Sequence, residues 1–315
     1  MSDYKNDGTP NSVSINIKKS KCLFRIQIII VNPDQFLQLN KIIKMKTTIM
    51  SLLFLISFTV VLFACSNDDD SKQPGKSVTY VLVHGAWQAP YVWDNVKASL
   101  EKNGHHALVV ELPGHGNDQT APQHLSIDVY RDKVIETLNK IDGKVILVGH
   151  SLGGMVISAV AEKVPAKIQE LVYIGAYLPS SGQSLLDLAN TDADALLGPS
   201  LRPSTDQLTL DVLRDNITNI FIQDGTDAIK NLVLKNYRAE PAIPFTNKVV
   251  LTSGNFGSVN KIYIKTLQDH VISPSLQGRM ISAAGIKNIF QLNTGHSPFL
   301  SKPDSVSTLL INIGH

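Results

Sequence analysis

The chain has 315 residues, 43% hydrophobic and 18% charged, with a formal net charge of +2, an ordinary globular composition long enough for one large domain or two small ones. The charge is uneven: residues 1–65 hold 8 Lys/Arg and 3 Asp/Glu, the remainder 21 and 24, and a mildly acidic body without a basic cluster predicts no nucleic-acid partner. The two cysteines, Cys22 and Cys65, lie in the first fifth of the chain, which excludes a disulfide framework in the body.

Residues 1–44 are polar, then patchily apolar ("FRIQIIIV"), and show no clear element pattern. The expectation is a non-native or disordered extension, with Met45 as the natural start. Lys41, Lys44 and Lys46 then flank an uncharged apolar stretch from Ile49 to Ala64, shorter than the roughly 20 residues of a spanning helix. A positive flank, an apolar centre and a small residue at its end predict a signal peptide over 45–64. An uncleaved signal-anchor helix is the alternative.

The sequence Leu62-Phe63-Ala64-Cys65 resembles the lipobox of bacterial lipoproteins, although Phe63 is bulkier than the usual residue there. That resemblance implies lipidation of Cys65. The run Ser66-Asn67-Asp68-Asp69-Asp70 is similar to the acidic tether of some outer-membrane lipoproteins, so residues 65–77 read as a lipidated cysteine and a flexible tether. Acyl chains contribute about 0.8 kcal/mol per buried methylene, so several on one cysteine anchor a protein without a spanning helix. The expected partner is the membrane, through Cys65, and the expected place is the outer membrane or cell surface.

From Val78 the pattern changes. "VTYVLVH" (78–84) is a continuous β-branched run, the mark of a strand buried on both faces. A helix follows at 91–104, stopped by Gly104, then a strand at 106–112, a helix at 125–141, a strand at 144–149, a helix after Ser151, and a strand at 168–176. Such alternation predicts an α/β fold, a mostly parallel central sheet with helices on both faces. It stops between about 177 and 258, where short helices separated by polar turns predict a helical cap insertion. It resumes with a strand at 261–266, a helix near 273–284, a strand at 287–292 and a helix near 304–313. Residues 78–315 thus read as one domain.

Gly149-His150-Ser151-Leu152-Gly153 matches G-x-S-x-G, with a strand before it and a helix after. So tight a turn holds the serine proud of the sheet. A serine needs a base to take its proton. His296, on the loop after the last strand, fits that role. His270 lies before that strand, His315 ends the chain, and His150, beside the serine, is expected to point away. A base needs a carboxylate to fix its tautomer. Asp269, directly after strand 261–266, is preferred to Asp224 and Asp227 in the cap. The order Ser151, Asp269, His296 is that of the α/β-hydrolases. The backbone N–H groups of Leu152 and Ala86 are the expected oxyanion donors. Trp87 and His150 are substrate-pocket candidates, though Trp87 and Trp93 fit a core as well as a pocket wall. No metal site is expected.

The segments "LVHGAW", "LPGHG", "GHSLGG", "YIGAYLP", "YIKTLQD" and "TGHSPF" resemble the α/β-hydrolase branch of plant methylesterases, hydroxynitrile lyases and bacterial esterases, over roughly residues 78–315. The resemblance implies an ester-cleaving serine hydrolase with no cofactor and a small-molecule ester as partner. The lyases carry threonine at the position of Gly85 and lysine at that of Ser297, and epoxide hydrolases carry aspartate at that of Ser151, which disfavours both chemistries here. A lactonase, or an amide or carbon–carbon hydrolase, would use the same triad. A surface-tethered binding protein on a degenerate hydrolase fold is the non-enzymatic alternative.

Overall fold

The computed structural model describes residues 77–315, together with 12–19 and 22–29. The chain divides into two units, Met1–Ser71 and Lys72–His315. In the first, β1 (Ser12–Lys19) and β2 (Cys22–Ile29) pair antiparallel, with Val13 opposite Ile28, Ile15 opposite Ile26 and Ile17 opposite Phe24. The absence of elements expected in 1–44 therefore needs correction. Val13, Ile15 and Ile17 alternate with polar residues at a period of two, which is a strand signal. Cys65, the apolar run at 45–64 and the tether up to residue 76 lie outside the described residues.

The second unit opens with β3 (Thr79–Val83), α1 (Asp94–Lys102), β4 (His106–Val110), α2 (Ile127–Asn139), β5 (Val145–His150), α3 (Gly153–Lys163) and β6 (Ile168–Ile174). Every residue of β5 is buried, as its unbroken apolar run requires. The α2 helix starts where Ser126 Oγ accepts the Val129 N–H, a cap that contributes about 1 kcal/mol.

The insertion follows. It contains α4 (Leu185–Ala189), α5 (Leu197–Ser200), β7 (Leu201–Pro203), β8 (Thr209–Val212), α6 (Ile217–Phe221), α7 (Asp227–Asn236), β9 (Glu240–Pro241) and α8 (Ile243–Thr246). Its short helices match expectation, but β7, β8 and β9 also form a small antiparallel sheet. The helix expected from Ser184 onward ends early because Asn190, Thr191 and Asp192 turn the chain. Asp192 then accepts from the Ser273 N–H at 2.8 Å and pins the insertion to the core.

The core resumes with β10 (Asn260–Thr266), α9 (Pro274–Ala283), β11 (Asn288–Leu292), α10 (Pro298–Ser301) and α11 (Pro303–Gly314). Six strands pair in the order β11-β10-β6-β5-β3-β4, and every pairing is parallel. Right-handed crossovers put α1 on one face and α2, α3 and α9 on the other. The chain leaves β3 towards β4 but leaves β5 towards β6, so the connections diverge between these neighbours. Ligands of open α/β sheets bind at such a switch point, beyond the carboxyl ends of the strands. Val83 pairs with Gly149, so the loop after β3 and the turn after β5 emerge side by side there.

Candidate active site

Ser151 occupies the turn between β5 and α3 with φ +53°, in the left-handed region. A non-glycine residue there costs of the order of 1–3 kcal/mol, so the surroundings must hold it. The Ser151 carbonyl accepts from the N–H groups of Gly154 at 3.0 Å and Tyr177 at 3.1 Å. Close packing adds to this: a Cβ at Gly85 would lie 2.6 Å from Ser151 Cβ. The loop after β3 therefore rests on the serine, and only glycine fits the contact.

His296 lies on the loop after β11 and is 1% exposed. Its Nδ1 faces both oxygens of Asp269, at 3.0 and 2.9 Å. A carboxylate accepts, so Nδ1 carries hydrogen and Nε2 is the acceptor in the neutral ring. Asp269 is held in turn: Oδ1 accepts from the N–H groups of Val271 and Ile272, and Oδ2 from Thr266 Oγ1 at 2.7 Å. Among the described residues no hydrogen bond joins Ser151 Oγ to His296. Such contacts are often long in unliganded hydrolases and tighten with substrate.

The backbone N–H groups of Ala86 and Leu152 donate to no protein group among the described residues. His84 fixes the Ala86 peptide: its Nδ1–H donates to the Gly85 carbonyl at 2.9 Å and its Nε2 accepts from the Leu112 N–H. Burial first, and His115 next to it, push the His84 pKa down to about 3, so this ring is neutral.

The rival residues lie elsewhere. His270 Nδ1 donates to the Asn219 carbonyl, and the His315 ring lies near His105. Asp227 is exposed in the first turn of α7. Asp224 Oδ2 accepts from the Gly295 N–H at 3.0 Å, so it steadies the histidine loop without meeting the imidazole. His150 requires a correction as a pocket candidate. It is fully buried, and its Nε2–H donates to the His296 carbonyl at 2.8 Å. Burial, and then the neighbouring His296, lower its pKa well below the usual value, so it is a neutral prop under the histidine loop.

Trp87 does face the insertion. Its Nε1–H donates to the Leu210 carbonyl at 2.9 Å, and its ring lies 5.5 Å from those of Phe221 and Phe245. Phe221 continues this aromatic layer to His296. A cavity of about 570 Å³, walled by Tyr177, Leu185, Leu197, Leu210, Phe245 and Val271, abuts the layer. Tyr177 bonds Ser151, Val271 bonds Asp269, and Leu210 bonds Trp87, so the cavity wall and the site share one framework. A second, more polar cavity of about 600 Å³ opens beside Trp87, His115 and Arg238. Among the described residues no cluster of His, Cys, Asp and Glu is arranged to hold a metal.

Sequence reasoning missed three contributors. Gln88 Nε2 donates to Ser297 Oγ at 2.9 Å and links the loop after β3 to the histidine loop. Gln277, fully buried, bonds the Thr266 backbone and side chain beneath Asp269. Glu240 accepts from the Trp87 N–H. Each contact joins distant parts of the chain or depends on a buried helix face, and no local motif signals it.

The profile of the "Alpha/beta hydrolase family" matches residues 80–309. The Arabidopsis thaliana protein named "Putative methylesterase 11, chloroplastic" is 32% identical over 250 residues, covering 74% of this chain and 63% of its own length. The chain thus spans less than two thirds of that relative. "Methylesterase 9" of the same plant is 27% identical over 257 residues, with 97% of its length covered. Among solved structures, an extracellular alpha/beta-hydrolase from a Paenibacillus species superposes with a TM-score of 0.65 at 25% identity, over 75% of this chain and 98% of that one. It is described as sharing structural and functional homology with tobacco salicylic acid binding protein 2.

Proposed function

The chain belongs to the alpha/beta hydrolase family, and from that premise we propose that it cleaves carboxylic esters of small to medium apolar substrates in two steps through an acyl-enzyme. The observation that carries this is the Asp269–His296 pair at 2.9 Å, at the same end of the sheet as a serine strained into the turn after β5. Ser151 Oγ attacks the ester carbonyl while His296 Nε2 takes its proton. Asp269 holds the ring by Nδ1–H and stabilises the imidazolium that forms. The oxyanion is received by the N–H groups of Ala86 and Leu152. His296 protonates the leaving alcohol, then takes a proton from the water that releases the acid. The methylesterase relatives and the apolar cavity together favour a methyl or other small alkyl ester of an apolar acid. Ser151→Ala should abolish turnover of a nitrophenyl ester and labelling by a fluorophosphonate, with thermal unfolding unchanged. Turnover at the wild-type rate in that variant would sink the proposal.

The same reading extends to the N-terminus on sequence grounds. Residues 45–64 are a lipoprotein signal peptide, Cys65 carries the lipid, and residues 66–77 tether the hydrolase to the outer membrane or cell surface. The positive flank, the apolar run and the Ala64-Cys65 junction support it. In cells fed a labelled fatty acid, the protein should take up label and sediment with membranes, and Cys65→Ser should lose both. A Cys65→Ser protein that stays labelled rules the anchor out.

A further inference from the structure

Glu240 is a carboxylate with no solvent exposure, carried by the two-residue strand β9 of the insertion. It accepts the Trp87 N–H at 2.6 Å and faces His115 Nε2 at 2.9 and 3.1 Å. His115 also presents Nδ1 to the Pro113 carbonyl at 3.0 Å. The Pro113 carbonyl only accepts, so Nδ1 carries hydrogen, and the charge and hydrogen bond of Glu240 raise the His115 pKa against burial, which favours a second hydrogen on Nε2 and makes the ring an imidazolium. Buried ion pairs are expensive to desolvate and add little net stability. This one therefore calls for a reason beyond holding the fold together.

Trp87 supplies the reason. It stands at φ +56°, a strained conformation for so large a residue, and it directly follows Ala86. The peptide carrying the Ala86 N–H is held on its carbonyl side by His84. The next peptide, carrying the Trp87 N–H, is held by Glu240. The Ala86 N–H between these two fixed points donates to no protein group among the described residues. Only one of the two holding groups comes from the core of the domain. The other comes from the insertion, 153 residues further along the chain.

From this geometry we infer that Glu240, backed by His115, is a positioning residue that sets the oxyanion loop, so that the insertion completes the catalytic centre as well as covering it. The inference rests on the serine-hydrolase reading. The ion pair also explains the choice of partner. A bare carboxylate one residue from the oxyanion donor would oppose the charge that develops there, and the imidazolium cancels it. A charged acceptor gives the short, strong hydrogen bond that a strained peptide needs.

The test uses the full chain, a nitrophenyl ester and a fluorophosphonate probe. Glu240→Ala should lower kcat by about 10- to 100-fold, below the loss from removing a donor outright, with KM changed by less than about threefold. Fluorophosphonate labelling of Ser151 should slow in parallel. Glu240→Gln keeps an oxygen for the Trp87 N–H and should recover to within about fivefold of wild type. If Glu240→Ala does not fold, His115→Gln carries the test: leaving the carboxylate uncompensated should lower kcat by about tenfold. A folded Glu240→Ala or His115→Gln protein with wild-type kcat and labelling rate overturns the inference. So does an effect confined to KM, or a Glu240→Gln as impaired as Glu240→Ala. Failure of the wild type itself to label would instead remove the serine-hydrolase reading beneath it.

Discussion

Asp269 meets four donors besides the imidazole of His296: two backbone N–H groups, the Thr266 hydroxyl at 2.7 Å and the more distant Gln277 amide at 3.4 Å. So dense a shell fixes the carboxylate in place before any substrate arrives, and it separates Asp269 from Asp224, whose contact with the same loop is through the backbone of Gly295. The consequence is measurable. Asp269→Asn keeps the shape but puts a donor where His296 Nδ1–H needs an acceptor, so the ring is pushed to the wrong tautomer, and kcat on a nitrophenyl ester should fall by about 10⁴. Asp224→Asn keeps a carbonyl oxygen for the Gly295 N–H and should cost less than about tenfold. Equal losses in the two variants would contradict the assignment. At this scale the sequence was informative wherever chemistry and local context coincide. The serine is marked by its turn, and the acid and base by their places after β10 and β11. His150 shows the limit. Its neighbour in sequence is the nucleophile, yet its side chain is taken up by the His296 carbonyl, a contact across 146 positions that no local pattern reports.

Elements that bury both faces were legible because their apolar runs are unbroken. β3, β5 and β6 fall where "VTYVLVH", "KVILVG" and "IQELVYIGA" predict them, and α2 and α9 begin at the serines that cap them. The insertion was legible as an interruption but not in its detail. Its strands are three, four and two residues long, too short for any periodicity to declare itself, and they exist only because they find one another. Thr209 pairs with Pro241 and Leu210 with Glu240, which is tertiary pairing overriding local preference. That pairing has a chemical consequence. It brings Glu240 to Trp87 while Leu210 accepts from the Trp87 indole. One tryptophan is thereby gripped at its backbone and at its ring by adjacent strands of a sheet that sequence reasoning took for helix and turn.

For the folded unit as a whole, three of the buried histidines, each in a different environment, contribute to how stability varies with pH. His84 is held down to about 3 by burial and by its neighbour His115, and burial likewise lowers His150. Both fold as neutral rings, whereas the unfolded chain gains their protons below about pH 6.5. Their contribution is therefore lost on acidification, at of the order of 1.4 kcal/mol per pH unit for each such ring until its folded pKa is reached. His115 runs the other way. Burial would lower it, but the charge and hydrogen bond of Glu240, with the Pro113 carbonyl, outweigh burial and the opposing Arg238 and raise it. A histidine raised in the folded state contributes stability that is complete below about pH 6.5 and is lost as pH climbs through the folded value. The thermal midpoint, followed at fixed ionic strength, should thus peak near pH 6.5 and fall on both sides. Glu240→Gln removes the charge that raises His115, so it should flatten the alkaline limb. A midpoint that rises steadily from pH 6.5 to 8.5 in the wild type, or an alkaline limb unchanged in Glu240→Gln, would show that His115 does not carry its proton into the folded state.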